Sequence, residues 1–321
     1  MLSNPYPIEV QAPDIAPYRH GNTGVDYVTT LKSGRSGPHA MVAAVIHGNE
    51  VCGAIVLDEL LKEGIRPTRG KLTLAFCNVA AYRRFDPADP NGSRQVEEDI
   101  NRVWAREVLD GTRDTPDLKR ARELRPIVDQ AHFLLDIHSL FFPIRPLMIA
   151  GPLEKSARLA RDLGYPEFVV TDQGHKEGRR MRDYGAFGSA DSPRTALLVE
   201  CGQHWAKATV NVCRETVVRF LRHLDVVDRA WAEAKLPARA TRPQRFIKVS
   251  EAVTIKTDRF AFDRPFEGYE LIAKAGTVIA HDGDAPVTTP YDDCVLVMPS
   301  HRLLKGRTAV RLGRFVDPPA D

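Results

Sequence analysis

Five stretches of this chain are apolar almost throughout for the length of a strand. They are residues 39–46 (HAMVAAVI), 71–78 (KLTLAFCN), 132–139 (HFLLDIHS), 167–172 (EFVVTD) and 195–202 (TALLVECG). A strand with one wet face alternates apolar and polar residues. A continuous run needs cover on both faces, which is the habit of parallel sheets. Between the runs the pattern turns helical. Residues 50–64 (EVCGAIVLDELLKEG) place Val51, Ile55, Leu57, Leu60 and Leu61 at helical intervals, with Gly64 as a stop. Residues 117–131 are helical at their start, 153–164 form another helix, and a long helix is predicted from about His204 to Ala234. The short run PLMIAGP adds a strand. This alternation predicts an α/β fold, a mixed but mostly parallel sheet flanked by helices.

The composition shifts at residues 234–245 (AKLPARATRPQR), where proline, arginine and alanine mark a linker. Beyond it, strand-like segments alternate with turns. The expected organisation is an α/β catalytic domain over residues 1–236 and a smaller all-β C-terminal domain over 245–321. A net charge of +3, with scattered arginines, excludes a nucleic-acid stripe. No apolar run is long enough to span a bilayer. The five cysteines lack CxxC spacing, which argues against a disulfide framework or a thiolate zinc site and for a reducing compartment. With no basic-then-apolar leader pattern at its start, the chain is expected to be cytoplasmic.

In open α/β sheets ligands bind beyond the carboxyl ends of the strands. His47 and Glu50 follow one predicted strand, in HGNE, and His138 ends another, in DIH. Read singly, each has a plain structural explanation. A strand-end histidine caps or faces solvent, and a first-turn glutamate suits the helix dipole. Their joint occurrence at two strand ends, about ninety residues apart, matches the His2Glu ligand set of a catalytic zinc. Such donors suit Zn2+ better than Mg2+. Asp136, two residues before His138, shares its strand face and is placed to orient it.

Glu200 ends a buried run, where a carboxyl group must be paired, hydrogen-bonded or protonated. It is either salt-bridged to an arginine or a general base whose pKa burial has raised. Cys201 alternates to the opposite face and reads as a small core residue. The long polar loop of residues 85–102 carries Arg94, Asn101 and Arg102. They are surface charge, or else a carbonyl-polarising guanidinium (Arg94) and a carboxylate clamp (Asn101 with Arg102). A glycine-flanked loop holds Arg179, Arg180, Arg182 and Tyr184. Any of the four could read a second substrate charge, with Arg179, Arg182 and Tyr184 taken as candidate contacts, against the alternative of a solvated cluster.

These motifs resemble the succinylglutamate desuccinylase/aspartoacylase family, a branch of the zinc-carboxypeptidase fold. The matching residues are His47-Gly48-Asn49-Glu50, Arg94 with Asp99-Ile100-Asn101-Arg102, Asp136-Ile137-His138 and Glu200-Cys201-Gly202, with seven residues between the two arginines. The resemblance implies one Zn2+ per subunit on His47, Glu50 and His138. It implies metal-activated water with Glu200 as general base, Arg94 on the scissile carbonyl, and Asn101 and Arg102 on a substrate carboxylate. The implied activity is hydrolysis of a small N-acyl amino acid or related N-acyl compound, with a homo-oligomer as a family-level expectation. A carboxypeptidase acting on short peptides and an inactive metal-binding protein are the other readings. The chain departs from aspartoacylase-type members in offering no tyrosine in MPSHRLLKGRTAVRLGR, where His301, Arg302 or Arg307 could substitute. Leu140, Phe141 and Phe142 imply a pocket wall less polar than a dicarboxylate acyl group prefers.

Overall fold

A computed structural model describes residues 6–174, 177–238 and 242–320. The elements run β1 (Val28–Lys32), β2 (His39–Ala44), α1 (Val51–Lys62), β3 (Lys71–Phe76), α2 (Val79–Tyr82), α3 (Arg106–Leu109), α4 (Pro116–Val128) and β4 (Phe133–Leu140). Next come β5 (Leu147–Ile149), α5 (Glu154–Leu163), β6 (Phe168–Thr171), β7 (Thr195–Gln203), α6 (Lys207–His223) and α7 (Arg229–Lys235). The C-terminal strands are β8 (Arg245–Thr254), β9 (Phe260–Phe262), β10 (Leu271–Ile272), β11 (Val278–Asp282), β12 (Ala285–Thr288), β13 (Cys294–Val297) and β14 (Thr308–Val316). All five apolar runs form strands.

The large sheet has the order β1-β3-β2-β4-β7-β5-β6-β8-β14-β13-β10. Strands β3, β2, β4 and β7 are mutually parallel, β1 is antiparallel at the edge, and β5 reverses against β7. Two-sided burial explains the continuous apolar runs. On β2, Ala40, Val42 and Ala44 pack with α1, α5 and α6, while Met41 and Ala43 pack with α4 on the other face. Each fully buried side chain of leucine or valine size contributes about 1.5–3 kcal/mol. The strands from residue 245 on are antiparallel to one another, and four of them, β8, β14, β13 and β10, continue the large sheet. β8 pairs in parallel with β6 and carries β14, β13 and β10 outward. This arrangement satisfies the edge of β6, which otherwise presents unpaired backbone groups. Strands β12, β11 and β9 form a separate small sheet.

The single helix predicted over 204–234 is two helices. α6 stops at His223, and Asp225 takes a left-handed conformation at φ 54°, which aspartate tolerates better than most residues. The Asp228 side chain then caps α7 by accepting from Trp231 N at 2.9 Å.

The long polar loop is held by one carboxylate. Asp117, fully buried in the first turn of α4, accepts from Val96 N at 3.2 Å, Glu97 N at 2.8 Å and Glu98 N at 3.1 Å. It also accepts from the Asn78 side chain at 2.7 Å. Hydrogen bonds to a charged group contribute about 1.5–3 kcal/mol each, and stranded buried N–H groups add to the loss. Asp117→Ala should therefore cost roughly 3 kcal/mol or more in urea unfolding. A loss under about 1 kcal/mol would mean that other contacts order the loop.

Candidate active site

The site is built where β2, β4 and β7 end. Just past β2, Val45 is left-handed at φ 59°, an unfavourable conformation for a β-branched residue. It is pinned by Cys77 N donating to Ala44 O at 2.8 Å and Asn78 N donating to Val45 O at 2.7 Å. The chain turns there and delivers His47 and Glu50 to the mouth of the sheet, with Glu50 leading into α1. Gly48 has to be glycine. A Cβ at that position would lie 2.3 Å from Ser93 O and 2.4 Å from Ala81 C. The close approach lets Gly48 N donate to Arg94 O at 3.0 Å, fastening the HGNE turn to the arginine loop.

Glu50 is the centre. Its Oε1 lies 2.7 Å from His47 Nδ1 and its Oε2 lies 3.0 Å from His138 Nδ1, and Ser139 N donates to Oε2 at 3.1 Å. All three side chains are buried, and one donor atom from each lies within 4.8 Å of the others. Carboxylates stand on the far side of both rings. His47 Nε2 is 2.9 Å from Asp99 Oδ1, and His138 Nε2 is 3.1 Å from Asp136 Oδ1. Each ring therefore presents Nδ1 to Glu50 and Nε2 to an orienting acid, as in carboxylate–histidine–metal triads. Burial by itself raises the Glu50 pKa, yet His47 and His138 overcome it and hold the carboxyl far below its ordinary range. Burial likewise opposes charging of His138, yet Asp136 and Glu50 raise it well above normal. The pocket favours positive charge at the point where the three groups meet, which fits a divalent cation and its donor set.

Residue register places Glu200 beside this group, since His138 on β4 is paired with Glu200 on β7. Among the described residues Glu200 forms no ion pair, and its Oε2 has no hydrogen-bond partner. The salt-bridge alternative thus finds no support. Burial, reinforced by Glu50 and opposed by His138, pushes its pKa up to about 8. The carboxyl looks into a cavity of about 220 Å³ that also receives His47, Glu50, Arg94, Asn101, Arg102 and His138. Leu140, Phe141, Ile149, Leu198 and Met298 supply the apolar part of its lining.

Other expected residues sit differently. Arg94 reaches the cavity, with Nη2 3.1 Å from Asp99 Oδ2 and Nη1 3.5 Å from Glu50 Oε1. Arg102 lines the cavity too, its Nη1 donating to Asn101 O at 2.9 Å. Asn101 lines the cavity and is already engaged there. Its Oδ1 accepts from Met181 N at 2.8 Å and its Nδ2 lies 3.1 Å from His138 Nε2, so it braces that ring. Arg179, Arg182 and Tyr184 do not line the cavity. Arg182 is buried and donates to Ala150 O at 2.8 Å. Tyr184 packs on Trp104 and accepts from Arg125 at 2.9 Å, and Arg179 lies by Val103. The loop residue that does enter is Arg180, bound to Asp172 at 3.2 and 3.4 Å. Near one another in sequence, these residues point in different directions because two 3-10 turns follow Arg180.

Of the four loop residues that could read a second substrate charge, only Arg180 lines the cavity. Arg311 and His204 are ionisable lining residues that the sequence reading did not single out. Arg311, on β14, faces the cavity 4.0 Å from Asp172, whereas His301 stacks on Phe142 and Arg307 pairs with Glu177 at 3.0 Å. His204 lies just beyond Gly202 and is bonded to Ser139 Oγ at 2.7 Å, and burial lowers its pKa to about 3 and keeps it neutral. No local signal marks Arg311, because only the pairing of β14 with β8 brings it to the site.

The profile of the succinylglutamate desuccinylase/aspartoacylase catalytic domain matches residues 36–224. The chain belongs to that family. Its members are deacylases that hydrolyse amides, which supports amidohydrolase chemistry on a small N-acyl substrate. Solved structures agree on the fold. A succinylglutamate desuccinylase from Vibrio cholerae superposes with a TM-score of 0.65 at 16% identity, covering 92% of this chain and 88% of that one. A succinylglutamate desuccinylase/aspartoacylase from Rhodobacter sphaeroides gives 0.63 at 20% identity, covering 90% and 88%. Murine aminoacylase 3 gives 0.61 at 17% identity, covering 88% and 96%. Among curated proteins, none matches the chain by sequence. No helix among the described residues is long and apolar enough to cross a membrane.

The raised Glu200 pKa makes a stability prediction for the metal-free protein. The native state keeps its proton up to about pH 8, whereas the unfolded chain releases it near 4.5, so this group's contribution falls as pH rises between those values. Glu200→Gln should match wild type at the acid end and become progressively more stable through that window. A gap in melting temperature that does not change with pH would contradict the assignment.

Proposed function

We propose that this protein is a zinc-dependent deacylase that hydrolyses the amide bond of a small N-acyl amino acid or related compound. The observation that carries the proposal is one shared cavity lined by His47, Glu50 and His138 together with Glu200, which forms no ion pair among the described residues. The first three residues would hold the ion. A zinc ion bound there supplies Lewis acidity, polarising the amide carbonyl and making water nucleophilic near neutral pH. Glu200 takes the proton of the attacking water and returns it to the departing amine, and a pKa near neutrality suits both transfers. Arg94, held by Asp99, lies where its guanidinium can stabilise negative charge growing on the carbonyl oxygen. Asn101, Asp136 and Asp99 keep the imidazoles from turning.

The cavity also suggests how a substrate lies. Arg102, Arg180 and Arg311 line it and suit a carboxylate, while Leu140, Phe141, Ile149, Leu198 and Met298 suit an apolar portion. Arg180 and Arg311 share Asp172, which fixes both guanidinium groups before a substrate arrives. The five unpaired cysteines support a reducing, cytoplasmic setting.

N-acetyl, N-formyl and N-succinyl amino acids, assayed with zinc-loaded and chelated protein, test this reading. Turnover should require the metal. His47→Ala should lose zinc, while Glu200→Gln should keep zinc and lose roughly 10²–10⁴-fold in kcat. Full activity in either the chelated protein or Glu200→Gln would refute the mechanism. Arg311→Ala should raise KM about tenfold or more for substrates bearing a carboxylate, the scale of one charged hydrogen bond. An unchanged KM would remove Arg311 from the binding site.

A further inference from the structure

Behind the cavity, on the opposite face of β7, three thiols meet. Cys52 stands in the first turn of α1, Cys201 follows Glu200 on β7, and Cys213 lies along α6. All three are fully buried and none is in a disulfide. Their sulfur atoms lie within 4.8 Å of one another. Alternation along β7 explains the position. Glu200 turns into the cavity, so Cys201 turns into the helical layer where α1 and α6 pack on the sheet. The remaining cysteines stand elsewhere, Cys77 in the opposite core layer and Cys294 among the C-terminal strands. Neither the deacylase chemistry nor the packing requires sulfur at these positions, since an alanine or valine serves a helix–sheet contact as well.

The donor set and the spacing select a ligand class. A metal–thiolate bond of about 2.3 Å in a trigonal arrangement sets sulfur atoms about 4.0 Å apart. The three sulfurs lie within 4.8 Å of one another, so side-chain adjustments of under about an ångström bring them to that spacing. Three sulfurs with no carboxylate or imidazole in the group disfavour hard cations such as Mg2+ and Ca2+. A divalent ion displacing three thiol protons leaves a net charge of −1, whereas a monovalent ion leaves −2. In an apolar layer the smaller residual charge is favoured.

We propose that Cys52, Cys201 and Cys213 form a second ion site, specific for a soft divalent cation and separate from the His47–Glu50–His138 centre. The site stands on three side chains from three elements and is independent of the deacylase reading.

Cadmium tests it on the full-length, reduced, zinc-loaded protein. Cd2+ is added stepwise, with incubation to equilibrium at each step because the site is closed to solvent. Thiolate-to-cadmium charge transfer is read in the ultraviolet. Only sulfur donors give that absorption, so an ion exchanging into the histidine centre does not contribute. Wild type should develop the band and saturate at one equivalent. Cys213→Ala and Cys213→Ser, on α6 and outside the catalytic cavity, should lose it while keeping native circular dichroism and zinc content. Absence of the band in wild type, or its survival unchanged in both folded variants, would overturn the proposal.

Discussion

The structure is organised around a carboxylate held between two imidazoles in a place that water hardly reaches. Glu50 contacts His47 and His138 through separate oxygens, at 2.7 and 3.0 Å. Burial of one negative charge is unfavourable unless positive charge stands against it. Here two rings supplied by two strand ends stand against it, and each ring is backed by an acid of its own. The resulting field accepts a cation at the centre and rejects a lone anion. Glu200, which has no such partner, keeps its proton to unusually high pH for the same reason.

This arrangement needs the long loop to be as well placed as the strands. The loop supplies Arg94 and Asp99 in front of His47, and Asn101 beside His138. Asp117 holds it by three backbone N–H groups, and Gly48 lets it lie against the HGNE turn. A polar loop of this length has little apolar area to hold it, so a few charge-assisted bonds decide its position. The C-terminal strands complete the cavity from the other side by extending the sheet and bringing Arg311 and Met298 to it.

Much of this was legible in the sequence. Strands buried on both faces leave continuous apolar runs, and all five runs are strands. His47, Glu50, His138 and Glu200 stood out because polar, ionisable groups ending such runs are unfavourable without a purpose. The loop of residues 177–188 was less legible. Its arginines look alike in sequence, yet Arg180 enters the cavity, Arg182 is buried against Ala150 and Arg179, its backbone bridged to Val103, does not line it. Tyr184 is engaged by Arg125. Irregular backbone has no fixed period from which a side chain's direction can be inferred, unlike a strand or a helix. The helix break at Asp225 was missed because no glycine or proline marks it.

The sequence by itself determined the layered α/β architecture, the ligand candidates at the strand ends and the family, since those follow from periodicity and from short motifs. Tertiary structure alone decided that Asn101 braces a ring, that Arg311 reaches the cavity from β14, and that Cys52, Cys201 and Cys213 meet. Each of those facts depends on strand register and helix packing between segments far apart in the chain. Such contacts leave no mark in the local pattern of either partner.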